Sequence, residues 1–255
     1  MTAMAKIPVA LQMYTVRDQT DIDFIGTYKK VAEIGYPGVE IAGTGGLSAA
    51  EMKALLDDCG FGRAGIHFGI EALESDLSAA IDYALGIDSK YITCPWMPEE
   101  RRRDAEGWKA TAKTLCQIGK KIAEAGLLFS YHNHSFEFQK FDGEYGLDIL
   151  YANSCNSLNA QIDTYWVKHG GEDPAAYIRK YAGRVPLVHI KDMSDDPEPT
   201  FTEIGNGILD WPSIFAAGEA AGTQWFIVEQ DTCKGPSLES AKISFENLKT
   251  LNAER

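Results

Sequence analysis

The chain predicts an α/β fold, a (β/α)8 TIM barrel built as one domain over residues 1–255, and three observations carry that expectation. Eight short β-prone runs recur from one end of the sequence to the other. The longer segments between them place apolar residues at helical spacing. The length, 255 residues, sits near the roughly 250 typical of one such barrel, although length alone also admits two small domains.

The β-prone runs are residues 9–14, 38–41, 64–68, 91–94, 127–131, 160–163, 187–190 and 225–229. Phe24, Tyr28, Val31 and Ala32 mark the apolar face of the first helical segment, and Tyr177, Ile178 and Tyr181 that of the sixth. Gly35, Gly60 and Gly126 fall just past such segments, where a left-handed C-cap residue is expected. A doubly wound open sheet is the alternative, but it would place a GxGxxG turn after the first strand, and none is present. The Pro-rich, acidic stretch 192–199 reads as a long loop on the functional face of the seventh strand.

A composition of 45% hydrophobic and 24% charged residues supplies a large core and argues against disorder. With 24 basic and 37 acidic residues the formal charge is -13, which opposes contact with a phosphate backbone, so no nucleic-acid partner is expected. Arg101, Arg102 and Arg103 stand beside Glu99, Glu100 and Asp104 and read as a solvated helix start. Five cysteines, Cys59, Cys94, Cys116, Cys155 and Cys233, are odd in number and form no CxxC, so neither a disulfide framework nor a zinc ribbon is expected. The N-terminal residues lack a signal-peptide pattern, and no run approaches the ~18 apolar residues of a membrane span. A cytoplasmic protein without a membrane partner is the expectation.

Four of the β-prone runs end on metal-ligand residue types, at the end of the strand where such barrels gather functional groups. The fifth leads into Tyr131-His132-Asn133-His134-Ser135-Phe136-Glu137, the sixth ends on Asp163, the seventh on His189 and the eighth on Glu229. A carboxylate closing a buried strand must be paired, coordinated or open to solvent, because a lone buried charge is very costly. Glu229 and Asp163 are therefore metal-ligand candidates, a salt bridge being the alternative for the first and helix N-capping for the second. Strand alternation sends His189 and Lys191 to one face, so His189 is a ligand candidate and Lys191 holds a substrate oxygen or pairs with an acidic neighbour. Glu137 would complete a Glu/Asp/His/Glu set from the loop over the barrel mouth. A strand-five histidine is the alternative fourth ligand; His134, if not itself a ligand, is a proton carrier, and His132 orients a ligand or meets the substrate.

Carboxylate and imidazole ligands without cysteine suit one divalent ion, Mn, Mg, Co or Zn. Such a site polarises a carbonyl and stabilises the enediolate left when a base removes the neighbouring proton, which is isomerase, epimerase or lyase chemistry; hydrolysis by activated water is also open to it. Glu137, Glu229, His134 and Lys191 are the catalytic candidates. Further mouth residues are Gln12, Tyr14, Glu40, His67, Trp96 and Trp166, whose polar groups and rings suit a sugar. Gly205-Asn206-Gly207 precedes a helix and offers backbone N–H groups to an anion, although a plain turn is the simpler reading.

These residues together resemble the xylose-isomerase-like TIM-barrel sugar isomerase/epimerase family, also called sugar phosphate isomerases/epimerases. The resemblance spans nearly the whole chain. It rests on Leu11-Gln12-Met13-Tyr14-Thr15-Val16-Arg17, on Tyr131-His132-Asn133-His134 with Phe136-Glu137-Phe138, on Asp163-Thr164-Tyr165-Trp166, on His189-Ile190-Lys191-Asp192, on the segment from Gly205 to Trp211, and on Val228-Glu229. It implies one divalent metal held by Glu, Asp, His and Glu at the ends of strands five to eight, with glutamates or a nearby histidine moving protons on a bound sugar. Several members carry the strand-five glutamate within the strand, where this chain has Tyr131 and His132. The Tyr-His-Asn-His variant belongs to a subgroup associated with keto-sugars and with elimination from oxidised glycosides. The resemblance further implies a possible homo-oligomer. Metal-dependent apurinic endonucleases share the fold, but their basic DNA-binding face is at odds with the charge of -13. A sugar-binding barrel without catalysis is the reading from another class.

Overall fold

The computed structural model describes residues 7–253, so residues 1–6 of the stretch read above for a targeting signal lie outside the described residues. Eight strands, β1 (Val9–Gln12), β2 (Gly38–Ala42), β3 (Gly62–His67), β4 (Tyr91–Cys94), β5 (Leu128–His132), β6 (Leu158–Asp163), β7 (Leu187–Ile190) and β8 (Trp225–Val228), close into one parallel barrel. Each strand pairs with its neighbours in sequence, and β8 returns to β1 through Val9–Phe226, Ala10–Ile227 and Leu11–Val228. Every strand lies within two residues of its predicted run. The first ends early because Met13–Val16 coil into a 3-10 turn, whose first free N–H, that of Tyr14, is taken by the Gln12 side chain.

The outer layer comprises α1 (Phe24–Ile34), α2 (Ala49–Asp58), α3 (Leu77–Gly86), α4 (Ala105–Glu124), α5 (Gly146–Ala152), α6 (Pro174–Lys180), α7 (Trp211–Ala221) and α8 (Ser237–Ala253). A reciprocal capping box of Ser48 and Glu51 starts α2, and Asp104 caps α4 through the Gly107 N–H. Trp108, Ala112, Leu115 and Ile122 form the buried face of α4. Gly35, Gly60 and Gly126 all take positive φ, as a left-handed C-terminal turn requires.

Inside the barrel the strands build layers of opposite character. Ala10, Ala64, Tyr91, Leu187 and Ile227 form an apolar floor, with Trp225 packed against it. Gly38 and Gly62 leave room for the Trp225 ring, which would lie 2.7 Å from a Cβ at either position. Two residues further along the same strands stand Gln12, His189 and Glu229, and Lys191 follows His189 at the same interval. Side-chain alternation therefore lifts one set of strands from an apolar plug into a polar layer.

Two sequence expectations change. The stretch after β7 is a hairpin rather than a plain loop, with Asp192 and Met193 paired antiparallel to Thr202 and Phe201. Cys116 and Cys155 are joined as a disulfide, their Cα atoms 5.7 Å apart across 39 residues of sequence. The spacing of cysteines carried no hint of it, because the pairing follows from α4 lying over the segment that enters β6.

Candidate metal and proton-transfer site

His132, Asp163, His189 and Glu229 come from β5, β6, β7 and the residue after β8, and one ligand atom of each lies within 4.8 Å of all the others. Three of the four predicted ligands are in this group. Asp163 serves twice: Oδ1 accepts the Trp166 N–H at 2.9 Å, capping the helical turn Thr164–His169, while the buried Oδ2 accepts no hydrogen bond. Lys191 Nζ lies 3.0 Å from that oxygen and His132 Nε2 3.8 Å from it. His132 contributes its Nδ1 to Gln161 Oε1 at 3.1 Å, so Nε2 faces the carboxylate with a free lone pair.

Charge accounts for the rest of the arrangement. Lys191 is fully buried, and its Nζ lies 2.8 Å from Glu229 and 2.8 Å from Asp231 as well as 3.0 Å from Asp163. Burial opposes the charged ammonium, and these three carboxylates outweigh it, raising the Lys191 pKa well above its usual value. His189 stands between Glu229, 2.8 Å from Nδ1, and Glu40, 2.6 Å from Nε2; despite burial they raise it to about 10. Burial likewise works against ionised Glu229, yet Lys191 and His189 hold that carboxyl well below the ordinary range. Asp163 goes the other way, to about 6, because burial exceeds the help of Lys191. Glu40, Asp163, Glu229 and Asp231 thus surround two cations, Lys191 and His189. With all four ionised, the excess of negative charge, the Asp163 Oδ2 that accepts no hydrogen bond and the free His132 Nε2 fit a divalent cation bound by two carboxylates and two imidazoles, which would take the place of the His189 Nδ1 proton.

The other predicted residues divide by position. Tyr14, His67, Trp96 and His132 line a cavity of about 480 Å³ above this cluster, together with His134, Glu229 and Asp231. Gln12 and Glu40 were expected at the mouth, but both are fully buried beneath it, and Gln12 Nε2 donates to Glu40 Oε2 at 2.6 Å. Trp166 was expected there too; it packs instead behind the cavity wall, against His134 and Phe201. Two site residues escaped the sequence reading. Gln161 shares the inward face of β6 with Asp163, and Asp231 stands two residues beyond Glu229, so strand parity extended by one step would have found both.

Glu137 is the main correction. The 3-10 turn Phe136–Phe138 swings it away from the cluster, where Oε1 accepts the Tyr131 hydroxyl at 2.7 Å and Oε2 accepts the His134 N–H at 2.8 Å. Tyr131 has the opposite strand parity to His132, so Glu137 lies on the helix side of β5 and His132 takes the strand-five place. Full burial raises the Glu137 carboxyl from 4.5 to about 7. Because the folded pKa exceeds the unfolded one, the unfolded chain releases this proton first, and stability falls as pH rises from about 4.5 to about 7. Glu137→Gln, with its amide turned to the reorientable Tyr131 hydroxyl, is expected to remove up to about 3 kcal/mol of that decline. Urea titrations at pH 5 and pH 8 measure it, and equal pH dependence in parent and variant would refute it.

His134 donates its backbone N–H to Glu137 and leaves Nδ1 without a partner. Burial, aided by the Lys191 charge, depresses its pKa to about 3, so the ring at the cavity wall is neutral. Next to Lys191, the buried Asp192 gathers the N–H groups of Met193, Gly205, Gly207 and Leu209 and the Trp211 indole N–H, at 2.8 to 3.3 Å. The glycine pair does hold an anion, and the anion is the chain's own carboxylate.

Among the described residues no helix is long and apolar enough to cross a membrane. Comparison with known proteins agrees with this architecture. The chain is 25% identical to the rhizopine catabolism protein MocC of Rhizobium meliloti, over 88% of this chain and 80% of that one. It is 28% identical to the inosose dehydratase of Clostridium beijerinckii, a match spanning about half of each protein, 49% and 48%. A sugar phosphate isomerase/epimerase from Parabacteroides distasonis superimposes with a TM-score of 0.83 at 22% identity, covering 98% of this chain and 96% of that one, which shows a common fold. Residues 28–251, nearly all of the barrel, match one family along their whole length, and the chain belongs to the xylose isomerase-like TIM barrel family.

Proposed function

We propose that the protein is a divalent-metal-dependent enzyme that moves a proton next to a carbonyl on an unphosphorylated, sugar-like substrate, as an isomerase or epimerase. The observation that carries this reading is the convergence of His132, Asp163, His189 and Glu229 beneath an open cavity. A bound cation would supply the positive charge that stabilises an enediolate. Glu229, ionised and at the cavity wall, is the base. His134, a neutral ring at the cavity wall, hydrogen-bonds substrate hydroxyls and passes on the proton. Lys191 is fully buried and faces three carboxylates, so its charge is already balanced and closed off from a phosphate. Arg17 is also committed, donating to the carbonyls of Tyr14 and Asp231 at 2.9 and 2.7 Å. Tyr14 and Trp96, 43% and 45% exposed at the cavity rim, offer their rings to the apolar face of a sugar or cyclitol.

Dehydration is the second reading, favoured by the inosose dehydratases among the relatives. The same first proton transfer serves it, followed by loss of a β-hydroxyl in place of reprotonation. Purified protein is expected to carry about one Mn, Mg, Co or Zn ion per chain, and the Asp163→Ala, Glu229→Ala double variant none. With keto-sugars and inososes in deuterated water, deuterium in a product isomeric with substrate supports the first reading, and loss of one water supports the second. Parent protein that binds no metal after incubation with each ion would sink both.

A further inference from the structure

We infer that Glu40 is a positioning residue that orients both imidazoles of the metal site, His189 directly and His132 through Gln161. The inference rests on the metal reading above. Glu40 Oε2 accepts His189 Nε2–H at 2.6 Å, which leaves Nδ1 as the nitrogen turned towards Glu229. Its other oxygen, Oε1, accepts Gln161 Nε2–H at 2.6 Å. Gln161 Oε1 in turn accepts His132 Nδ1–H at 3.1 Å, which leaves His132 Nε2 turned towards Asp163. One carboxylate thereby fixes the tautomer and the ring plane of two imidazoles that approach from different strands. Gln12 and His67 also reach Glu40 Oε2, at 2.6 and 3.0 Å, so the carboxylate is itself held on several sides. A carboxylate engaged by four donors and fully buried is closed to substrate.

The backbone is shaped for this side chain. Between β2 and β3 the register jumps, Val39 pairing with Arg63 and Glu40 with Gly65, so that Ala64 has no partner of its own. Such a bulge re-aims a side chain near a site. Gly65 takes φ +150, and a Cβ there would stand 3.0 Å from Glu40 Oε1. A partner of this kind raises the basicity of an imidazole ligand and spares the entropy of orienting it, and its loss typically costs about 10- to 100-fold in metal affinity.

The test measures Mn²⁺ dissociation constants by competition with a fluorescent chelator, and the visible spectrum of Co²⁺-loaded protein, for the parent, Glu40→Gln, Glu40→Asp and Gln161→Met. Glu40→Gln is expected to bind Mn²⁺ about 10- to 100-fold more weakly and to alter the Co²⁺ spectrum, with Glu40→Asp between it and the parent. Gln161→Met, which breaks the His132 arm and a contact to His67 but spares the Glu40–His189 bond, is expected to lose less. Its spectrum also decides the matter should Glu40→Gln fail to fold. Folded Glu40→Gln, or Gln161→Met, binding Mn²⁺ as the parent does with an unchanged Co²⁺ spectrum would overturn the inference and leave the metal reading intact. A parent that binds no cation would overturn both.

Discussion

Lys191→Met is expected to destabilise the protein by about 3–5 kcal/mol at neutral pH, a large share of the roughly 5–15 kcal/mol that holds a folded domain together. The ammonium is fully buried and faces Asp163, Glu229 and Asp231 at 2.8 to 3.0 Å. Methionine fills a similar volume, so the loss is one of charge: three carboxylates remain with His189 as their nearest cation. Millimolar Mn²⁺ is expected to return part of the stability, since a cation that binds only the folded state stabilises it in proportion to the logarithm of its concentration. Urea unfolding of both proteins with and without Mn²⁺ reads the two effects. A variant within about 1 kcal/mol of the parent would mean that the carboxylates are protonated or solvated rather than paired.

Glu229→Gln is expected to lower turnover by about 100- to 10,000-fold while leaving the barrel folded. Its side-chain oxygen still accepts from Lys191, which Asp163 and Asp231 continue to pair, so the fold survives with a lowered melting temperature. What disappears is the charge that lets the residue take a proton from carbon or hold a cation. Asp231→Asn, at the same cavity wall but outside the four-ligand group, is the comparison, and its loss should be smaller. Stopped-flow or NMR rates with the substrate found by deuterium exchange provide the measurement. Turnover within about tenfold of the parent for Glu229→Gln would remove it as the base and turn attention to His134.

The barrel was legible in the sequence because each strand is a buried run bounded by turn residues, and the period of two assigns its faces without tertiary information. The same parity placed Asp163, His189 and Glu229 at strand ends, and the structure brings these three together with His132. Parity fails where a strand gives way to a turn. Glu137 follows β5 by five residues, and the 3-10 turn Phe136–Phe138 sends it to the helix side, a rotation that no spacing rule carries. Glu40 shows a different limit. Its inward direction was readable, but its four donors come from β1, β3, β6 and β7, and only the closed barrel brings them together. The Cys116–Cys155 pair was hidden for the same reason, since helix-to-loop packing leaves no periodic trace.

The loop that follows β7 turns around Asp192, on which four backbone N–H groups and the Trp211 indole N–H converge, and Tyr165, Ser240, Ser244 and Asn247 tie it further at Pro199, Glu203 and Ile204. Any residue type except proline supplies a backbone N–H. Gly207 is the fixed point, because a Cβ there would lie 2.2 Å from the Met193 carbonyl oxygen. The loop's course is therefore set largely through backbone groups, while the side chains of residues 195–200 stand exposed to solvent. Substitution along this segment can redraw what the protein presents beside its catalytic mouth without redrawing the segment itself.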